Sequence, residues 1–506
     1  MTKLNSTIFR KYDIRGVAGR DLDENVAESI GRAVATLLRE RPGDATVGPV
    51  AVGRDVRHTS RSLARAVMKG VAASGLDVVD LGIVPTPVVY FYLHERPCAG
   101  GVVVTGSHNP PEFNGFKISR GRESLYGDGI QEIRRIVEEG IFSPSTRRGR
   151  KRRVFALPPY LRFLRKQFGH LRSRGGVRRP VRVVVDAGNG TAGSVAPRLL
   201  RALGCEVVEL YCQPDGRFPH HHPDPTVAGN LADLQSAVRE AKGDLGVAYD
   251  GDGDRLGVVD ERGEIVWGDR LLVLYARQVL KDHIGATCVG DVKCSQLFFD
   301  DVERLGGIPL MWRTGHSLIK AKMREVGASL AGEMSGHFFF ADRYYGFDDA
   351  FYATCRLIEI LLTTRKEDPE ARLSELWKDL PPWVATPEMR IFCPDENKEN
   401  VVRRLTDRIS FMIGNGAMPA ELRDEVEGVS TLDGLRMSGG NGWALVRASN
   451  TEPALILRFE AADELLLAAY RSFIERVLQD AVTESRIQTQ QTQQTECTQE
   501  TVQTLP

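Results

Sequence analysis

No stretch of the sequence approaches the ~20 uninterrupted apolar residues needed to span a bilayer. The first sixteen residues, with Lys3, Arg10, Lys11, Asp13 and Arg15 among scattered apolar positions, lack the apolar centre of a signal peptide. An excess of charge is missing too, since 67 Lys and Arg balance 67 Asp and Glu. Zero net charge excludes a whole-surface field for nucleic acid and leaves only local patches. The eight cysteines, at 98, 205, 212, 288, 294, 355, 393 and 497, contain no C-x-x-C pair. That usage fits reduced thiols in a cytoplasmic protein better than a disulfide framework. What is present is ordinary for a globular chain, with 42% hydrophobic and 26% charged residues, which excludes disorder, collagen repeats or coiled coil for the bulk of it. At roughly 150 residues per domain, the 506 residues suggest three or four domains.

Short β-branched runs alternate with segments of helical period. Thr46–Val52, Gly101–Val104, Val181–Val185, Leu245–Ala248 and Leu330–Ala331 read as strands. Glu24–Arg39, Arg61–Ser74, Ala196–Leu203 and Asn230–Lys242 read as helices. This alternation predicts α/β architecture with substantially parallel sheets. Two stretches look like seams. Residues 143–153 combine turn formers with a dense basic run, read as a solvated linker rather than a nucleic-acid patch. The proline-rich run Leu380–Pro387 breaks both periods. From Gln488 the chain is mostly Gln and Thr, too polar to offset its ordering entropy, which predicts a disordered tail.

Three times an apolar strand runs into a small-residue turn carrying polar chemistry, at 102–110, 247–255 and 330–337. Ligands of open α/β sheets collect outside the carboxyl ends of strands, so three such ends suggest three α/β domains facing one cleft. In the second turn Asp250, Asp252 and Asp254 alternate with Gly251 and Gly253, followed by Arg255. On an extended loop positions i, i+2 and i+4 project to one side, so the three carboxylates converge. Their mutual repulsion, on the order of 10 kcal/mol before screening, calls for a cation among them. Oxygen-only ligands favour a hard ion, Mg²⁺ above a transition metal. An EF-hand is nearly matched, with Glu261 twelfth from Asp250, but Arg255 stands where glycine is required and a strand precedes the loop. An aspartate-nucleophile phosphatase, which also carries Asp-x-Asp after a strand, stays open from this loop alone.

The first turn, Thr105-Gly106-Ser107-His108-Asn109-Pro110, holds a serine beside a histidine, with Lys117 shortly after, a candidate nucleophile or phosphoryl carrier. It is not the Gly-x-Ser-x-Gly elbow, because Asn109 stands two after Ser107. Residues 188–193 spell Gly-x-Gly-x-x-Gly after a strand, and Glu209 sits where a ribose-binding acid would be. A nicotinamide-dependent oxidoreductase would leave the aspartate and serine loops unexplained, so these glycines are read as a tight strand–helix turn. His220, His221 and His222 are adjacent, point to alternating sides, and do not converge on one metal ion.

In combination these residues resemble the α-D-phosphohexomutase superfamily, bacterial-type phosphomannomutase/phosphoglucomutase branch. The resemblance runs from Phe9–Gly16 to Arg447–Pro453, through four loops in order at 105–110, 250–255, 332–337 and 447–453. It implies three similar α/β domains with mixed sheets sandwiched by helices, plus a smaller α+β fourth domain, around a central cleft. The boundaries it suggests are 1–150, 151–262, 263–378 and 379–485, with the tail from 486. It also implies that Ser107 is phosphorylated, that Asp250, Asp252, Asp254 and a phosphoserine oxygen hold Mg²⁺, and that the phosphoryl group passes to a hexose monophosphate. A hexose 1,6-bisphosphate then serves as intermediate and activator.

By the same resemblance Arg447, Ser449, Asn450 and Thr451 cradle the non-transferring phosphate, and Glu333 and Ser335 grip sugar hydroxyls. Tyr12 and Arg15 line the cleft, Lys117 and Arg255 stand near the transferred phosphoryl, and Lys293, His316 and His337 lie on the substrate side. Acid and base roles fall to one or more of His108, Lys117 and His337. Met334 favours mannose and glucose over glucosamine, whose mutases usually carry Gln there. Relative to shorter bacterial enzymes of the family, Glu421–Gly428 reads as an insertion. Monomer and dimer are left equally open.

Overall fold

The computed structural model describes residues 4–39, 48–172, 179–450 and 453–503, with side chains as far as residue 483. The chain forms two compact units. One comprises Met1–Cys294, Phe298–Met311 and Gly315–Asp379; the other comprises Ser295–Leu297, Trp312–Thr314 and Leu380–Pro506.

The first unit opens with β1 (Ile14–Val17), α1 (Glu24–Arg39), β2 (Val50–Arg54), α2 (Ser60–Ala73), β3 (Val78–Ile83) and α3 (Thr86–Glu95). There follow β4 (Gly100–Val104), β5 (Phe113–Arg120), β6 (Glu123–Ser124), α4 (Asp128–Glu139) and β7 (Lys151–Arg153). The seven strands make one sheet in the order β1-β5-β4-β2-β3-β7, with β6 beside β5. Parallel pairing of β4, β2, β3 and β7 requires crossover connections, which α2 provides from β2 to β3, α3 from β3 to β4, and α4 from β6 to β7. Helices α1 and α2 cross closely at two glycines. A Cβ on Gly31 would come within 2.3 Å of the Val67 carbonyl oxygen, and one on Gly70 within 2.1 Å of that of Glu28.

A second sheet contains β8 (Arg182–Asp186), β9 (Glu206–Leu210), β10 (Leu245–Tyr249), β11 (Leu256–Asp260) and β12 (Ile265–Val266), ordered β12-β11-β10-β8-β9. Its β9-β8-β10 core is parallel, and β11 returns antiparallel to β10. The third sheet is β13 (Thr287–Asp291), β14 (Ile308–Trp312), β15 (Leu330–Gly332) and β16 (Phe338–Phe340), ordered β14-β13-β15-β16. In all three sheets a parallel pair is followed by an antiparallel hairpin, so the turn between the hairpin strands leaves from the carboxyl end of a buried strand.

The second unit has a six-stranded sheet of β17 (Val384–Ala385), β18 (Met389–Phe392), β19 (Val426–Ser430), β20 (Leu435–Gly439), β21 (Gly442–Ala448) and β22 (Ala454–Ala461). Every pairing in it is antiparallel. Helices Asp395–Gly414 and Glu464–Gln503 close a core of its own around Leu405, Ile409, Leu457, Phe459 and Ile474.

Several expectations change here. The strand expected over Thr46–Val52 is Val50–Arg54, and residues 46 and 47 lie outside the described residues. The basic run is not linker throughout, because Lys151–Arg153 pairs with β3. The segment Glu421–Gly428, read as an insertion, is packed into the second unit, with Leu422 buried in the core and Val426–Ser430 paired with β20, and this leaves that reading as it was. Where composition predicts disorder, the last helix runs to Gln503; Gln and Glu are good helix formers, and no Gly or Pro interrupts Glu464–Gln503. The cysteines whose side chains are described are free thiols. Among the described residues, no helix is long and apolar enough to cross a membrane.

Candidate active site

Within the first unit the three strand-end turns converge. Ser107 follows β4, adopts φ 47° and is 2% exposed. Positive φ is uncommon outside glycine and costs on the order of 1–3 kcal/mol, so the surroundings must hold the turn. They do so from beneath. Asp55 Oδ2 accepts the Thr105 hydroxyl at 2.9 Å and the Gly106 N–H at 3.1 Å, and Thr105 Oγ1 accepts the Ser107 N–H at 2.8 Å. The buried Arg57 guanidinium donates to the carbonyls of Ser107 at 2.8 Å and Phe113 at 3.1 Å, and also to those of Asn109 and Pro110. Its Nε lies 3.2 Å from Asp55. The Ser107 hydroxyl then donates to Asp250 Oδ2 at 2.8 Å, with His108 Nδ1 3.2 Å away.

The turn after β10 carries the carboxylates, all three fully buried. Asp250 Oδ1 accepts the backbone N–H groups of Gly253 at 3.0 Å, Asp254 at 3.1 Å and Arg255 at 3.2 Å. Thus Asp250 Oδ1 is fixed by its own loop, while its Oδ2 faces the Ser107 hydroxyl. Asp252 Oδ2 accepts from Thr86 Oγ1 at 2.6 Å and Lys117 Nζ at 2.7 Å, and Lys117 also reaches Asp254. One oxygen from each carboxylate lies within 4.8 Å of the others. Asp252 Oδ1 and Asp254 Oδ1 are buried without a hydrogen-bond partner, although His337 Nε2 stands 3.4 Å from the latter. Orphaned buried oxygens and an all-oxygen donor set fit a hard divalent cation.

Electrostatics agrees with that fit. Burial, then Asp252 and Asp254, push the Asp250 carboxyl well above its usual range; a bound cation would reverse the penalty. Burial also opposes charge on Asp254, yet Lys117 and His337 overcome it and hold its carboxyl well below. A second cluster of Asp254, His337 and Asp348 has the spacing for a cation. Its members are committed elsewhere, His337 to Glu333 at 2.7 Å and Asp348 to Lys320 at 2.7 Å.

The turn after β15 brings Glu333, Ser335 and His337. Glu333 Oε1 accepts the Gly315 N–H at 2.6 Å, and its other oxygen meets His337 Nδ1. Burial disfavours both charges, but His337 and Lys293 draw Glu333 down to about 2, while Asp254 and Glu333 push His337 up to about 9. Ser335 Oγ lies 3.3 Å from His337 Nδ1, and Arg255 Nε 3.4 Å from His337 Nε2. The His316 ring stacks on that of His337 at 5.5 Å and stands 3.2 Å from Asp348. In contrast His108, with burial and then Arg255, Arg15 and Lys117 against it, is held well below its usual value. Arg15 bonds to Asn109 of the serine turn and to Asp13. Tyr12 passes so close to Gly315, φ 134°, that a Cβ there would come within 2.5 Å of its ring.

The structure therefore brings together Tyr12, Arg15, Ser107, His108, Lys117, the three aspartates, Arg255, Lys293, His316, Glu333, Ser335 and His337 in the first unit. Arg447, near the end of β21, and Ser449 and Asn450, on the turn that follows it, belong to the second unit; Arg447 pairs with Asp433 at 3.0 Å. Thr451 lies outside the described residues. Sequence reasoning missed Asp55, Arg57 and Thr86. The first two follow β2 as Arg54-Asp55-Val56-Arg57, a fourth polar turn after an apolar strand that the same rule could have found. Thr86 carries no such signal.

The two motifs set aside serve structure. In the Gly-rich turn at 188–193, Thr191 donates its N–H to the Gly251 carbonyl at 3.0 Å, and a Cβ on Gly190 would come within 2.8 Å of that oxygen, so the turn buttresses the metal-type loop. His220 bonds to Asn189 at 2.8 Å and His221 to Asp186 at 3.0 Å, partners too different to share an ion.

The chain matches four family models in order. They are described as phosphoglucomutase/phosphomannomutase alpha/beta/alpha domains I (residues 6–143), II (158–263) and III (267–381), and C-terminal domain (388–477). It is 43% identical over 463 residues to a phosphomannomutase/phosphoglucomutase of Pseudomonas aeruginosa, covering 91% of this chain and 93% of that protein. A phosphoglucomutase of Neisseria gonorrhoeae is 39% identical, covering 95% and 98%. Among solved structures, a phosphoglucomutase/phosphomannomutase family protein from Burkholderia thailandensis superposes with a TM-score of 0.83 at 42% identity, covering 94% of this chain and 98% of that one.

Proposed function

Because the chain belongs to the phosphoglucomutase/phosphomannomutase family, we propose that it interconverts hexose 1-phosphates and hexose 6-phosphates of mannose and glucose, with Ser107 as phosphoryl carrier. The observation that carries the reading is the Ser107 hydroxyl, 2.8 Å from Asp250 in a cluster of three buried carboxylates. Mg²⁺ bound by Asp250, Asp252, Asp254 and a phosphoserine oxygen would supply charge neutralisation at the transferring phosphoryl group.

The chain's own residues do the rest. A substrate hydroxyl attacks the phosphorus of phosphoserine 107; the P–O bond to Ser107 breaks as the new one forms, giving a hexose 1,6-bisphosphate. With that intermediate turned round, the Ser107 hydroxyl attacks its other phosphate and the second hexose monophosphate leaves. In this return step the serine proton has two acceptors in reach, Asp250 Oδ2 at 2.8 Å and His108 Nδ1 at 3.2 Å. Lys117 and Arg255 supply positive charge to the transferring group, and His337 is placed to handle the proton on the substrate side. Glu333 and Ser335 take sugar hydroxyls, with Lys293 and His316 beside them and Tyr12 and Arg15 forming the wall. Arg447, Ser449, Asn450 and Thr451 are assigned the non-transferring phosphate, through a charged fork plus hydroxyl and amide donors.

The test is conversion of mannose 1-phosphate to mannose 6-phosphate, and of the glucose pair, with Mg²⁺ and a trace of hexose 1,6-bisphosphate. Turnover of neither sugar overturns the reading. Phosphate release that survives Ser107→Ala would point instead to hydrolysis.

A further inference from the structure

The basic run at 143–153 contains none of the residues assigned to phosphoryl transfer, yet its last three residues are built into the first sheet. Lys151 and Arg153 stand two apart on the extended β7 and so project to one side. Both line a cavity of 420 Å³, together with Arg54 at the end of β2, Arg57 just beyond it, and Arg61 and Arg65 on α2. Arginine and lysine outnumber carboxylates six to two around it. Asp55 is committed to Arg57 and the serine turn, while Asp80 accepts from Lys151 at 3.2 Å and from the Gly82 N–H at 3.0 Å.

This arrangement works against the fold. Arg61 and Arg65 are like charges at i and i+4, a destabilising pair on a helix. Burial lowers the Arg54 pKa, and Arg153, Arg61 and Arg65 lower it further against a partial offset from Asp80. Gly82, φ 78°, makes room for one guanidinium, since a Cβ there would come within 2.9 Å of Arg153 Nη2. One apolar side chain of the wall, Ile83, is 52% exposed.

We propose that the cavity is a binding site for a small anion carrying two or more linked phosphates. Guanidinium forks from β2, α2 and β7 engage successive phosphate groups, which monophosphate or chloride would not bridge. A half-open cavity of this volume accommodates a compact polyphosphate. Its ligand would sit beside Arg54, one residue from the Asp55 that holds the serine turn.

Calorimetric titration of the full chain with sodium triphosphate and, separately, ATP tests the site at ~0.15 M salt, where weak surface attraction is screened. Binding of either probe that weakens roughly ten-fold or more in R61E/R65E, with mutase KM unchanged, supports it. ATP binding more tightly than triphosphate identifies a nucleotide, and the reverse an inorganic or sugar-linked phosphate chain. R134E/R135E on the exposed face of α4 reverses as much charge and is expected to bind like the wild type. Arg153→Ala, which removes the fork contributed by β7, is expected to weaken binding as well. No binding by the wild type, equal binding in R61E/R65E, or equal loss in R134E/R135E overturns the proposal.

Discussion

Ser107 is fixed twice, its hydroxyl by Asp250 and its backbone by Arg57 directly and by Asp55 through Thr105. Removing the hydroxyl deletes one hydrogen bond, about 1 kcal/mol. Ser107→Ala is therefore expected to keep its melting temperature within a few degrees while losing roughly 10³-fold or more in mutase rate; loss of fold in that variant would contradict the assignment. Arg57→Ala is the opposite case. It strands buried carbonyl oxygens and leaves Asp55 without its buried cation, at a cost of about 3–5 kcal/mol. A clear drop in melting temperature is expected, and Arg57→Lys restores little of it, because an ammonium cannot span carbonyls on both sides of the turn. A melting curve of Arg57→Ala that overlays the wild type would refute this account.

Among the elements, the helix Ala350–Glu367 offers a pH-dependent test. Its N-cap, Asp349, accepts the N–H groups of Phe351 and Tyr352 and the hydroxyls of Tyr160 and Tyr344. Burial pushes its carboxyl up to about 6, above its ordinary 3.8. The folded state thus holds this proton more tightly than the unfolded chain, so the stability it contributes is complete below about pH 4 and is lost as pH rises through about 6. Asn caps a helix nearly as well, and Asp349→Asn is expected to flatten the melting temperature across that window; an unchanged slope would refute the assignment. Elements were also where sequence reading divided. The three site turns were legible because an apolar strand ending in small and polar residues marks itself locally. Arg57 was not, because its meaning lies in carbonyls some fifty positions away. Lys151–Arg153 looks like linker in sequence for the same reason, since a strand of three charged residues shows no alternation and exists by pairing with β3. The glycines at 188–193 mark a turn in sequence, but the contact of Thr191 with Gly251 has no local signal.

For the whole molecule, two units with separate cores predict more than one unfolding step. Ser107 and the three carboxylates all belong to the first unit, and the second has its own antiparallel sheet and core. In calorimetry, Mg²⁺ is expected to raise only the transition of the first unit, by about 2.7 kcal/mol at a hundred times its Kd, and chelator to remove the effect. A single transition indifferent to both would contradict this. The left-handed backbone of Ser107 bears, finally, on the lineage as well as the molecule. Threonine carries the same hydroxyl and is a single-nucleotide neighbour of every serine codon, yet a β-branched residue is a steric outlier at the positive φ of Ser107. Genetic drift that could exchange two equivalent alcohols elsewhere finds that exit closed here.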